Sequence, residues 1–360
     1  MRPLIPSIAC ACLSVLPLLL IGQQPARQPT TAAEAPNRDS SYIDANGTAH
    51  ITRVVPVPQD LSPEAQKFIS QSAPDEAPAE SLATRRTHTD EWSARANAEW
   101  SKLCPNKIED TTMAAVPVRL VTPQNMPAAN RDKVLMNLHG GGFNSDSGSY
   151  AESIPIAGYT GIKVVAVLYR LAPEHPFPAA LDDAVAVYKE LLKTYQPDHI
   201  VIYGTSAGAV LTAELAVKLK QLSLPMPAAL GIFSTLDSFA RMGDSYAIYN
   251  LRGFAGHLEP PDSSAHDTYY VGSTDPKDPV LSPIYADLHG LPPSLFLSSG
   301  RDALLSSTAN LHRAYLRAGV DARLVVFDAL PHAFWYQSRL PESIEANHIM
   351  ADFFLAHLAK

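Results

Sequence analysis

The rhythm of apolar positions changes near Ile108, and that change divides the chain. Ahead of it, Leu4 to Ile21 is a mostly apolar run. Residues 23–58 are rich in Gln, Pro, Ala, Thr and Asn without periodicity, which predicts a flexible leader. Ser62-Pro63-Glu64 reads as a helix start, with Ser at the cap and Pro in the first turn, and Leu61, Ala65, Phe68 and Ile69 share a face. A second helix is predicted from about Asp90 to Leu103, with Trp92, Ala96, Trp100 and Leu103 aligned. Beyond Ile108, strands and helices alternate. Val116–Val121, Val134–Leu138, Lys163–Tyr169, His199–Tyr203, Ala228–Phe233, Leu295–Ser298 and Leu324–Phe327 read as strands. Ala180–Tyr195, Ala209–Leu222, Thr308–Ala318 and Glu342–Leu358 read as helices. Val164-Val165-Ala166-Val167-Leu168 is continuously apolar, as a strand buried on both faces must be. The alternation predicts an α/β fold with a mostly parallel sheet flanked by helices. Residues 236–291 break it with Pro, Gly, Tyr and His and no clear strand, and are expected to form an insertion over the carboxyl ends of the strands.

Composition narrows the class. The 360 residues are 46% hydrophobic and 18% charged, enough for a large core in one domain spanning residues 59–360. The net charge of -8 and the lack of a basic run argue against nucleic acid as a partner. Met1-Arg2, the apolar run and Gly22-Gln23-Gln24 read as an export signal over residues 1–22, its end not fixed. Pro6 and Pro17 interrupt the run, which suits a cleaved signal, and a mature chain without a membrane span, better than the alternative of an amino-terminal anchor. Cys10 and Cys12 lie inside that segment, so the exported chain would keep Cys104 alone and no internal disulfide. Nothing in the sequence sets an oligomeric state.

The candidate chemistry centres on Ile200-Val201-Ile202-Tyr203-Gly204-Thr205-Ser206-Ala207-Gly208. A strand that reverses into a helix this abruptly strains its middle residue and holds the Ser206 hydroxyl clear of the sheet, at the positive end of the new helix. A serine nucleophile needs a base, and the base needs an orienting carboxylate. Reactive groups in open parallel sheets sit just past the carboxyl ends of strands. Asp302 follows one late strand and His332 the next, in the order Ser, Asp, His expected for such a turn. Asp328 is the rival acid, lying too close to the end of its strand and to His332. His312, His199, His257, His266 and His289 read as packing or surface histidines. Leu138-His139-Gly140-Gly141-Gly142-Phe143 follows a strand directly, and its glycines let amides approach a carbonyl oxygen. The amides of Gly141, Gly142 and Ala207 are the expected oxyanion donors, with His139 steering the loop. A phosphate-binding reading lacks both Gly-x-Gly-x-x-Gly and Gly-Lys-Ser/Thr. No metal or cofactor is implied.

His139-Gly140-Gly141-Gly142, the stretch Tyr169-Arg170-Leu171-Ala172-Pro173-Glu174-His175-Pro176-Phe177-Pro178-Ala179-Ala180, Gly204-Thr205-Ser206-Ala207-Gly208 and Leu330-Pro331-His332-Ala333-Phe334 together resemble the hormone-sensitive-lipase-like family of α/β-hydrolases. The resemblance runs from about Val54 to the carboxyl end. It implies a serine carboxylesterase with a helical cap, here from about 59–105 and 236–291, acting on small short- or medium-chain acyl esters. The sequence departs from the family pattern at Thr205, where Asp is common, at Ala209 and Ala333, where Gly is usual, and at Asp302-Ala303-Leu304, where Asp-Pro-Leu is usual. Lactone or amide hydrolysis with the same groups, and ligand binding on a hydrolase scaffold, are the alternatives. Arg170, Glu174 and Asp182 are expected to pair with one another or cap a helix.

Overall fold

The computed structural model describes residues 40–52, 55–70, 81–249, 251–252, 257–258 and 268–359. They fall into two compact units that divide between Pro56 and Val57. The residues read as an export signal, and His266, lie outside the described residues.

The amino-terminal unit contains a hairpin of β1 (Ser40–Ile43) and β2 (Ala49–Thr52), in register Ser40 to Thr52. The Asp44 carboxylate closes its turn, accepting from the amides of Asn46 and Thr48, each at 2.9 Å. Residues 40–52 of the expected flexible leader, 23–58, thus form a hairpin. The local signal was Asn46-Gly47, a strong turn dipeptide.

In the second unit, α1 (Pro63–Ile69) starts as predicted, the Ser62 hydroxyl accepting from the Ala65 amide at 3.1 Å. Helix α2 (Leu82–Leu103) begins well before Asp90, capped by Ser81. Its first turns are polar and carry no apolar stripe, so periodicity could not announce them. Leu103 does not share the buried face of Ala96 and Trp100; it is exposed.

The sheet consists of β3 (Asn106–Met113), β4 (Val116–Pro123), β5 (Val134–Leu138), β6 (Lys163–Val167), β7 (Ile200–Thr205), β8 (Ala229–Phe233), β11 (Ser294–Arg301) and β12 (Ala322–Pro331). Two short strands of the insertion, β9 (Leu251–Arg252) and β10 (His257–Leu258), pair with each other. The order across the main sheet is β12-β11-β8-β7-β5-β6-β4-β3. From β6 to β12 every pairing is parallel, and β4 and β3 add an antiparallel edge. Sequence reading missed β3 because Lys107, Glu109, Asp110, Thr111 and Thr112 give it little apolar content.

The continuous apolar runs follow from burial on both faces. Val134, Met136 and Leu138 of β5, with Ile200 and Ile202 of β7, enter one core layer under α4 (Ala179–Leu191) and α5 (Ala207–Gln221). Leu135, Val201 and Tyr203 enter the other, under α3 (Ser153–Thr160) and α9 (Pro341–His357). Most of α3 is buried, so it lacks the polar face that would have revealed it. The insertion carries α6 (Asp244–Tyr249) and α7 (Thr268–Val271); α8 (Leu305–Arg317) packs on β11 and β12. The insertion meets the loop after β11 through the Ser245 hydroxyl, which donates to Ala303 O at 2.7 Å. Among the described residues no helix is long and apolar enough to cross a membrane.

Candidate active site

Ser206 occupies the turn between β7 and α5 with φ 59° and ψ -121°, a conformation that non-glycine residues rarely adopt. The surroundings impose it. A Cβ at Gly208 would lie 1.8 Å from the Leu138 carbonyl oxygen, so the helix can start this close to β5 only on a glycine. The Ser206 amide donates to Phe233 O of β8 at 2.9 Å, and its carbonyl accepts from Ala209 and Val210 at 3.0 Å each. Thr205 accepts from Trp335 Nε1 at 3.0 Å, a buried role for the residue that stands in place of the common Asp.

The residue after Phe233, Ser234, links this turn to Asp302 and His332. The Asp302 carboxylate, fully buried after β11, receives His332 Nδ1 at 3.0 Å on Oδ1. Ser298 donates to Oδ2 at 2.7 Å and the Leu304 amide to Oδ1 at 2.9 Å. Ser234 donates to Oδ2 and lies 2.7 Å from His332 Nδ1. One set of proton positions satisfies all of these bonds. The imidazole N–H lies on Nδ1, shared between Asp302 Oδ1 and Ser234 Oγ, while the Ser234 hydroxyl proton points to Oδ2. Nε2 is then the lone-pair nitrogen. Burial disfavours an ionised Asp302, but attraction to His332 in its protonated form, the His332 hydrogen bond and those of Ser234 and Leu304 hold the carboxyl below its ordinary range. Asp328, the rival acid, lies within β12, and the carboxylate bonded to His332 is Asp302. Ala333, where Gly is usual, takes φ 55° and opens the 3₁₀ turn Phe334–Tyr336.

Gly141 and Gly142 have φ 120° and 61°. The loop folds back on itself, Ser145 N donating to Gly141 O at 3.1 Å and Ser147 N to Gly140 O at 3.2 Å. Among the described residues, the amides of Gly141, Gly142 and Ala207 donate to no backbone acceptor. His139 stacks on Tyr169 at 4.2 Å and 9°, its Nδ1 lies 2.9 Å from Gly140 O, and the Tyr169 hydroxyl donates to His139 O at 2.6 Å.

Sequence reading missed two groups here. Ser234 sits just past the carboxyl end of a central parallel strand, so the strand-end rule applied to β8 would have found it. Glu152 carried no motif. Its Oε1 accepts from the Gly140 amide at 3.0 Å and the Tyr336 hydroxyl at 2.5 Å, and its Oε2 from Asn137 Nδ2 at 2.8 Å. Burial raises its pKa from 4.5 to about 7 in spite of those donors. The expected pairing around Arg170 also differs. Arg170 binds Asp183 rather than Asp182, its Nε at 3.0 Å from both carboxylate oxygens. Glu174 binds Arg86 of α2 through two bonds of 2.7 Å. Among the described residues no group of His, Cys, Asp and Glu is arranged to hold a metal ion.

Comparison with known proteins agrees with this architecture. Residues 135–336 match the family described as the alpha/beta hydrolase fold. An acetyl-hydrolase of Streptomyces hygroscopicus is 33% identical over 63% of this chain and 77% of its own length. An esterase of Acinetobacter venetianus is 29% identical over 70% of this chain and 85% of its own. The crystal structure of esterase E25 superposes with a TM-score of 0.75 at 32% identity, covering 86% of this chain and 98% of that one. An esterase from the bacterial hormone-sensitive lipase family gives 0.71 at 29% identity, covering 83% and 99%. The chain belongs to the α/β-hydrolase fold family and, within it, to the hormone-sensitive-lipase-like serine esterases.

Proposed function

We propose that this chain is a carboxylesterase that hydrolyses short- to medium-chain acyl esters through Ser206, His332 and Asp302. The observation that carries the reading is the Asp302–His332 pair at 3.0 Å, its carboxylate buried beside a strained Ser206 turn. His332 Nε2 takes the Ser206 proton as Oγ attacks the ester carbonyl. The amides of Gly141, Gly142 and Ala207 receive the oxyanion. His332 then protonates the leaving alcohol, and water attacks the acyl-enzyme by the same route, returning the acid and free Ser206. Asp302 fixes the imidazole tautomer and stabilises its cation. The names of the relatives, acetyl-hydrolase and esterase, support the ester substrate. Residues 1–22 are proposed to direct export.

The test is hydrolysis of p-nitrophenyl esters from acetate to palmitate by wild type and Ser206→Ala. Turnover that depends on Ser206 and declines toward palmitate is expected. Full turnover in a folded Ser206→Ala protein removes the mechanism. Absence of turnover on every ester by folded wild type transfers the reading to lactones and amides.

A further inference from the structure

We propose that Glu152 is a positioning residue for this reaction: its carboxylate ties the oxyanion loop and the histidine turn to one point. The inference rests on the esterase reading above. It comes from the sharing of a single oxygen. Oε1 receives the amide of Gly140, next to Gly141, and the hydroxyl of Tyr336, in the turn that follows His332. These two segments follow different strands, β5 and β12, which are well separated in the sheet order. The third bond anchors the carboxylate itself, since Asn137 Nδ2 belongs to β5. The Glu152 main chain adds a fourth tie, its carbonyl accepting from the Tyr203 hydroxyl of β7 at 3.2 Å, three residues before Ser206. The site has no slack, because a Cβ at Gly148 would lie 1.9 Å from Oε1. A displaced Oε1 therefore displaces both the oxyanion donors and the base.

The tie depends on the charge. An ionised carboxylate only accepts, and all its side-chain bonds here come from donors. Asn137 presents its NH₂ to Glu152, and its own buried Oδ1 has no hydrogen-bond partner among the described residues. A protonated Glu152 would donate, and the Asn137 amide would turn over to accept with that idle oxygen. The titratable groups facing Glu152 are Asp146 from its own loop, Tyr336 from the histidine turn, Tyr203 from β7 and, further off, Tyr169. The Asp146 charge opposes ionisation of Glu152, and burial keeps the three tyrosines protonated. A carboxyl whose pKa is raised to about 7 carries this change into the neutral range.

Glu152→Gln, Tyr336→Phe and the double variant are compared with wild type on p-nitrophenyl acetate from about pH 5 to 9, with circular dichroism to establish folding. Each single variant should lower kcat about 10-fold and change KM less than about two-fold, as expected when only transition-state alignment is lost. The double variant should be no worse than the poorer single, because Tyr336 acts through the Glu152 carboxylate. The acid limb of log kcat/KM should be steeper in wild type than in Glu152→Gln, because only wild type carries a carboxyl that is neutralised there, with a further loss limited to about 10-fold. A Glu152→Gln profile that superimposes on wild type, or fully multiplicative losses, would overturn the proposal. If Glu152→Gln does not fold, Tyr336→Phe decides alone: wild-type kcat refutes, a kcat loss at constant KM supports. Ser206→Ala runs alongside; residual activity there defeats the esterase reading instead.

Discussion

Ser234→Ala gives a sharp test of the geometry around the base. The substitution removes a hydroxyl that donates to Asp302 Oδ2 and stands 2.7 Å from His332 Nδ1. A hydrogen bond to a charged group contributes about 1.5–3 kcal/mol. Not all of that is lost, because Oδ2 keeps Ser298 at 2.7 Å and Oδ1 keeps Leu304 N and His332. A remaining deficit of about 1.4 kcal/mol in the transition state lowers kcat about 10-fold. KM should change less than about two-fold, since the hydroxyl lies on the Nδ1 side of the ring, away from the nucleophile. The pH response has a definite sign. Asp302 titrates below its ordinary value, so its stabilising contribution is present above the unfolded-state pKa and lost as pH falls through the folded one. Ser234 is one of the groups that lower that value, so its removal shifts the acid loss of stability to higher pH. Steady-state kinetics on p-nitrophenyl acetate and urea unfolding across the acid range measure both effects. A variant with wild-type kcat and an unshifted acid unfolding curve would refute the proton arrangement assigned to Ser234.

Two further outcomes test how the elements are held. Gly208→Ala drives a Cβ to 1.8 Å from Leu138 O and 2.8 Å from His139 O, both backbone atoms. It should destabilise the protein by at least about 3 kcal/mol in urea unfolding or abolish soluble expression; near-wild-type stability would contradict the close approach of α5 to β5. Trp100→Phe removes the indole N–H that donates to Tyr336 O at 3.0 Å and leaves that carbonyl unpaired in the core. A loss of about 1–3 kcal/mol is expected in the same assay.

The parallel core was legible because its strands are apolar at every position, and a strand buried on both faces has no other pattern to offer. Val134–Leu138 was placed to the residue. Ser206, Asp302 and His332 were singled out because each follows a strand, and strand ends are where this kind of sheet gathers its polar groups; of these, the structure joins Asp302 to His332 at 3.0 Å. The misses have separate causes. Strand β3 lies at an edge and helix α3 is nearly all buried, so neither shows contrast between two faces. Ser234 and Glu152 act through partners distant in sequence: Asp302 is 68 residues from Ser234, and Tyr336 is 184 from Glu152. Such distances leave no local spacing that pairs the partners, although the strand-end rule alone would have singled out Ser234. The pairing of Arg170 with Asp183 instead of Asp182 is a matter of helix face, since successive residues of α4 point in different directions.

Helix α2 is fastened along its length to the loops that shape the site. Arg86 reaches Asn144 O and Glu174, Ser93 reaches Asp146 O, Glu99 holds Ser338 and Arg339, and Trp100 reaches Tyr336 O. A lid that swings aside at an oil–water boundary must be held by few contacts that release together. These contacts are spread over three separate loops, and one of them is buried in the core. Helix α2 is therefore tied down as a wall and not hung as a flap. If the chain hydrolyses esters as proposed, its rate should follow the concentration of dissolved single molecules, with no jump where the substrate begins to form droplets.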